Sequence, residues 1–113
     1  MSMPENLLYQ AKKLGFDDEV PDADGMTMTK CLPDLDALGG NPRIIFRQFK
    51  DSPETYALSA AQNATGRGAV RLTIENLSEA DLRGTKLQIL TKELISIWAR
   101  QVTALHAAMR RDQ

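Results

Sequence analysis

The chain has 113 residues and a formal net charge of -1, with 42% apolar and 26% charged residues. That composition is ordinary for one folded domain, and the length is too short for two cores. One Cys and one His exclude an intrachain disulfide framework, a multi-cysteine zinc site and paired-His metal motifs.

In chain order, Ser2-Met3-Pro4-Glu5 has the spacing of a capping box with Pro in the first turn. Leu7, Leu8, Ala11 and Leu14 follow at helical spacing, and Gly15 is a stop. A short amphipathic helix is expected over about residues 4–14. Residues 17–42 contain Pro21, Gly25, Pro33, Gly39, Gly40 and Pro42, a density of breakers that argues against a long regular element. Val20, Met26, Met28, Leu32, Leu35 and Leu38 in the same stretch predict a packed loop, with a helical turn at Leu32 to Leu38. Arg43 to Lys50 (RIIFRQFK) reads as a strand. Asp51-Ser52-Pro53-Glu54 fits two structures, a hairpin turn leading to a second strand or the cap of an Ala-rich helix, so residues 53–64 stay undecided between helix and strand. Asn63 to Gly68 is a turn in either case. Ala69 to Glu75 alternates Val70, Leu72 and Ile74 with Arg71, Thr73 and Glu75, the pattern of a half-buried strand. Ser78-Glu79-Ala80-Asp81 is a second capping-box signature. From Thr85 to Arg111 there is no Gly or Pro, which predicts one long helix. The expected fold is α+β: a short N-terminal helix, a small antiparallel sheet of two or three strands and a long C-terminal helix, with a mostly α arrangement as the alternative. One domain covers 1–113, with an acidic helix and loop over 1–42 and the sheet plus long helix over 43–113.

The charge is unevenly spread. Residues 1–42 hold eight acids and three bases, a net of -5; residues 43–113 hold seven acids and eleven bases, a net of +4. Either the acidic front folds over the basic back, or it is a solvated segment facing a partner. The near-zero total argues against general binding to nucleic acid or acidic membranes. No apolar run approaches the length of a membrane span, and Met1 to Asn6 lacks the blocks of a secretory signal. A cytoplasmic location is the expectation.

The long helix bears the main functional clue. Its principal stripe is Leu87, Leu90, Leu94, Trp98, Val102, Leu105 and Met109, enough to bind the helix to a sheet. A second set, Ile89, Ile95, Ile97, Ala99, Ala104 and Ala108, widens the apolar surface, and a helix apolar on more than one face is buried on more than one face. Either the N-terminal helix and the Met-containing loop cover it, or a second chain does, with a homodimer the expected form.

Tests for chemistry come back empty. His106 has no partner His and no nearby nucleophile. Cys31, in the expected loop, has no activating group in sequence. Asp22-Ala23-Asp24-Gly25 and Asp34-Leu35-Asp36 lack the other ligand positions of an EF-hand. Thr65-Gly66-Arg67-Gly68 lacks the Lys-Ser/Thr of a P-loop. The expectation is a non-enzymatic protein with no cofactor and no metal. One combination, Arg43-x-x-x-Arg47 with Asn76-x-Ser78 further on, resembles the cyclic-dinucleotide motif of PilZ domains, in which arginine forks grip phosphate and guanine. Asp81 stands where that family has its closing Gly, and the chain turns helical where the barrel needs strands. A degenerate PilZ-like domain is therefore the alternative function.

Over its full length the chain resembles the QslA-type quorum-sensing anti-activators of pseudomonads, in its length, its opening Met-Ser-Met-Pro-Glu-Asn-Leu-Leu-Tyr-Gln and its Leu87 to Arg111 helix. The resemblance implies a regulator that binds the ligand-binding domain of a LuxR-type transcription activator and blocks its dimerisation and DNA binding, without touching nucleic acid or membrane itself. The physical means would be occupation of the activator's dimer surface by an apolar patch with a few anchors. The expected interface residues are Arg83, Ile89, Ile97 and Arg100, with Trp98 either an interface anchor or a core residue. The acidic stretch from Asp17 to Asp24 is suited to steering a basic partner.

Overall fold

The computed structural model describes residues 3–62 and 68–111. Helix α1 (Glu5–Lys13) is followed by strands β1 (Val20–Asp22), β2 (Gly25–Cys31), β3 (Arg43–Phe49), β4 (Tyr56–Ala61) and β5 (Arg71–Leu77), and by helix α2 (Lys86–Arg111). Short 3-10 helices span Pro33–Leu38 and Glu79–Asp81. The strands form one antiparallel sheet in chain order. The class is α+β as expected, but the sheet has five strands, not two or three.

α1 begins at Pro4 without a side-chain cap; Ser2 of the expected capping box lies outside the described residues. The helix ends as Gly15 predicts. Gly15 takes a φ of 97°, its N–H donates to the Lys12 carbonyl and the Phe16 N–H donates to the Ala11 carbonyl, both at 3.0 Å. That pair of bonds is a Schellman closure, with Phe16 and Ala11 both buried. The Lys30 Nζ donates to the Leu14 carbonyl at 2.7 Å, so a cation from β2 satisfies the helix C-terminus.

Residues 20–31 of the expected loop over 17–42 form instead a hairpin, β1–β2. Two of the breakers, Pro21 and Gly25, sit where a hairpin needs them. Pro21 lies in edge strand β1, where a missing N–H is tolerated. Ala23 and Asp24 form the two-residue connection, with Asp22 opposite Gly25. The Asp22 carboxylate accepts from the N–H groups of Asp24 and Gly25, both at 2.9 Å, closing the turn from its own side chain. Gly25 is required by close approach, because a Cβ there would collide with the Gln48 carbonyl oxygen. Cys31 is the exposed last residue of β2 rather than a loop residue. The helical turn expected at Leu32 to Leu38 is present as the Pro33–Leu38 3-10 helix.

Residues 56–61 are strand, which settles the open choice. β4 lies at the centre of the main four-stranded part and is buried along its whole length. Phe46, Leu58 and Ile74 share a face across β3, β4 and β5, as do Ile44, Ala60 and Leu72. Those side chains meet Leu7 and Ala11 of α1 and Leu87, Leu94, Trp98 and Val102 of α2 in one hydrophobic cluster. Both helices therefore cover a single face of the sheet. The opposite face carries Thr29, Ile45, Ser59 and Thr73 in one cross-strand row, with a 2.9 Å hydroxyl–hydroxyl hydrogen bond between Ser59 and Thr73. Ala57 and Ala61 are short enough to be buried on this face beneath larger neighbours on β3.

The second capping signature is formed as predicted: the Asp81 carboxylate accepts from the Ser78 N–H and hydroxyl, each at 2.9 Å. It caps the short 3-10 helix Glu79–Asp81, and α2 starts afresh at Lys86. The turn expected over Asn63 to Gly68 lies outside the described residues except for Gly68.

Candidate protein-binding surface

α2 presents two unlike faces because its apolar residues outnumber the positions that meet the sheet. Leu87, Leu94, Trp98 and Val102 are buried, as is Thr91 between them. Leu90, Ile95 and Ala99 are half-buried against the same core. Ile89 and Ile97 stay 51% and 41% exposed. At 100° per residue, Ile89, Glu93, Ile97, Arg100 and Ala104 run along one side of the helix, at i, i+4, i+8, i+11 and i+15. All five are exposed. This ridge is an apolar strip with an acid and a base embedded in it.

The predicted interface residues divide accordingly. Ile89, Ile97 and Arg100 lie together on the ridge. Arg83 is exposed in the turn before α2, off the helix. Trp98 has no exposed surface, and its Nε1 donates to the Val70 carbonyl at 2.8 Å; it belongs to the core. Arg100 borders a shallow depression with Ala99, Thr103, Ala104 and Ala107, a flat small-residue stretch continuing the ridge toward the C-terminus. Two further apolar residues are exposed: Tyr9 on α1, and Val20, which was expected to pack with the loop but lies on edge strand β1 instead. Tyr9 falls off the Leu7, Ala11, Leu14 stripe, which was its only sequence signal.

The acidic front is partly folded against its own chain. Arg47 on β3 reaches Asp22 at 2.9 Å and Asp24 at 3.7 Å. Lys12 meets Asp18 at 2.7 Å. Burial pushes the Asp22 carboxyl up, but the turn amides and the Arg47 guanidinium together outweigh it and hold the group below the usual carboxylate range. Asp17, Asp34 and Asp36 remain exposed.

Arg43 and Arg47 share the helix-free face of β3, flanking Ile45, while Asn76 sits two strands away in a bulge with φ 58°. The Arg47 Nη1 donates to both carboxylate oxygens of Asp22. His106 is half-buried and its Nε2 donates to the Gly68 carbonyl at 3.1 Å, so the ring ties the segment leading into β5 to α2. Among the described residues, no group of three or more His, Cys, Asp or Glu side chains is placed to hold a metal ion, and no helix is long and apolar enough to cross a membrane.

Compared with models of known protein families, with curated proteins and with solved structures, the chain finds no match in any of the three.

Proposed function

We propose that the chain is a non-enzymatic regulatory protein that binds a LuxR-type quorum-sensing activator through α2 and blocks its dimerisation and DNA binding. The observation that supports a binding role is the ridge of Ile89, Ile97 and Arg100, which the fold leaves in solvent although α2 already satisfies the sheet with a separate stripe. Apolar side chains beside an Arg are the usual make-up of an interface anchor. The class of partner rests on the resemblance of the opening decapeptide and the C-terminal helix to the QslA-type anti-activators. An activator that reads two half-sites as a dimer loses its DNA when its dimer surface is covered. A cyclic-dinucleotide reading gains no comparable support, since Arg47 is engaged by Asp22 of the β1–β2 hairpin.

The test is to mix the purified chain with the ligand-binding domain of a LuxR-type activator. Co-elution at micromolar concentration, with loss of the activator's DNA shift, is the expected result. Two separate peaks would overturn the proposal.

A further inference from the structure

The sheet ends in two unequal edges. β1 is three residues long and contains Pro21, which has no N–H to offer. β5 is seven residues long, contains neither Pro nor Gly, and among the described residues pairs with β4 alone. An unguarded edge of that length is a template for another strand. Its sequence, Arg71-Leu72-Thr73-Ile74-Glu75, is self-complementary about Thr73. We infer that two copies of the chain join β5 to β5, antiparallel, with Thr73 on the two-fold axis.

In that register Arg71 of each copy stands opposite Glu75 of the other, and Leu72 opposite Ile74. Opposite charges directly across an antiparallel pair stabilise it and like charges oppose it. Arg71, Thr73 and Glu75 are exposed, and Thr73 and Arg71 share the helix-free face with Ser59 and Ala61. Leu72 and Ile74 point to the helix-bearing face but are only half-buried, so pairing completes their cover and extends the core across the axis. The stretch that pairs is bounded at its far end. Ile74 opposes Leu58 and Leu77 opposes Tyr56, leaving Glu75 and Asn76 together against Ala57. That bulge interrupts the regular alternation of the strand after Glu75. An isologous contact of this kind closes on itself as a dimer, joining two five-stranded sheets into one of ten strands without exposing a new edge of β5. A second copy is the occupant because the charge pattern is its own complement. This surface is separate from the α2 ridge, so the inference stands apart from the identity of any regulatory partner.

The experiment uses the pure full-length chain. Light scattering on a sizing column is expected to give twice the 12.5 kDa chain mass. E75R and R71E, each placing like charges opposite one another, are expected to weaken the dimer at least tenfold. The double variant R71E/E75R restores opposite charges and with them the dimer. A C31S/T73C variant is expected to form a disulfide-linked dimer on air oxidation. C31S/R71C is not, because the two thiols would be four residues out of register, roughly 13 Å apart. A wild-type chain that stays monomeric up to high-micromolar concentration overturns the inference. So does a double variant as dissociated as the single ones, or a T73C thiol that fails to cross-link a dimer.

Discussion

The indole N–H of Trp98, at the middle of α2, donates a 2.8 Å hydrogen bond to the carbonyl of Val70, immediately before β5. The ring itself is fully buried. One side chain thus fills the core beneath α2 and ties the start of the edge strand to the helix. Trp98→Phe keeps much of the apolar volume but strands the Val70 carbonyl, at a cost of about 1–3 kcal/mol. Trp98→Ala adds a cavity and costs about 3–5 kcal/mol. Urea unfolding followed by circular dichroism measures both, since the change removes the chain's single Trp.

Thr91 lies in the same stripe, buried, and among the described residues its hydroxyl has no partner. Thr91→Val keeps the shape and removes the unsatisfied group. It is expected to raise unfolding stability by about 1 kcal/mol, because an unpaired buried hydroxyl is a net penalty. A fall in stability would mean that the hydroxyl is bonded.

Gly25 follows the β1–β2 turn where the Gln48 carbonyl leaves no room for a Cβ. Gly25→Ala must displace β2 from β3. It is expected to destabilise the chain by more than about 1 kcal/mol, reversing the usual entropic gain of such a change. Thermal unfolding is the direct measure.

The Asp22–Arg47 contact predicts a pH dependence. Folding lowers the Asp22 pKa, so the unfolded chain binds the proton more tightly. The associated stability is present above the unfolded value of about 3.9 and is lost as pH falls through the folded one. Asp22→Asn keeps an oxygen for the turn amides but removes the charge. The variant should be less stable than the parent at neutral pH, and the two stability curves should converge on acidification. Parallel curves would show that the ion pair contributes nothing.

Ile89 and Ile97 provide the contrast between binding and folding. Replacing both with Ala should change stability by no more than about 0.5 kcal/mol for each site, as for other exposed positions. Leu94→Ala, between them in sequence but on the buried side of α2, should cost about 2–5 kcal/mol. If the ridge binds the activator, the double Ile variant loses co-elution while its unfolding curve stays in place.

Local chemistry was a good guide wherever a single element met a single surface. The α1 stop at Gly15, the β3 run from Arg43, the alternation of β5, the Ser78–Asp81 bonds and the length of α2 follow from spacing and capping residues alone. The hairpin of β1 and β2 was hidden because its Pro and Gly punctuate turns in loops and hairpins alike. Only pairing with β3 distinguishes the two. Tyr56 to Ala61 was ambiguous because Ala favours helix in isolation, whereas small side chains at the centre of a sheet are selected by the neighbours that cover them.

The same division holds for the candidate surface. An excess of apolar residues on α2, the acidic front and the scarcity of His and Cys are properties of the sequence by itself. Which of those apolar residues remain in solvent depended on which side of the helix lies on the sheet: packing buries Trp98 and leaves Ile89 and Ile97 exposed. Likewise Arg71 and Glu75 were simply charges on an alternating strand until β5 proved to be an edge. Spacing along the chain fixes which side chains share a face. Only tertiary packing, which brings together residues distant in sequence, decides which face meets water.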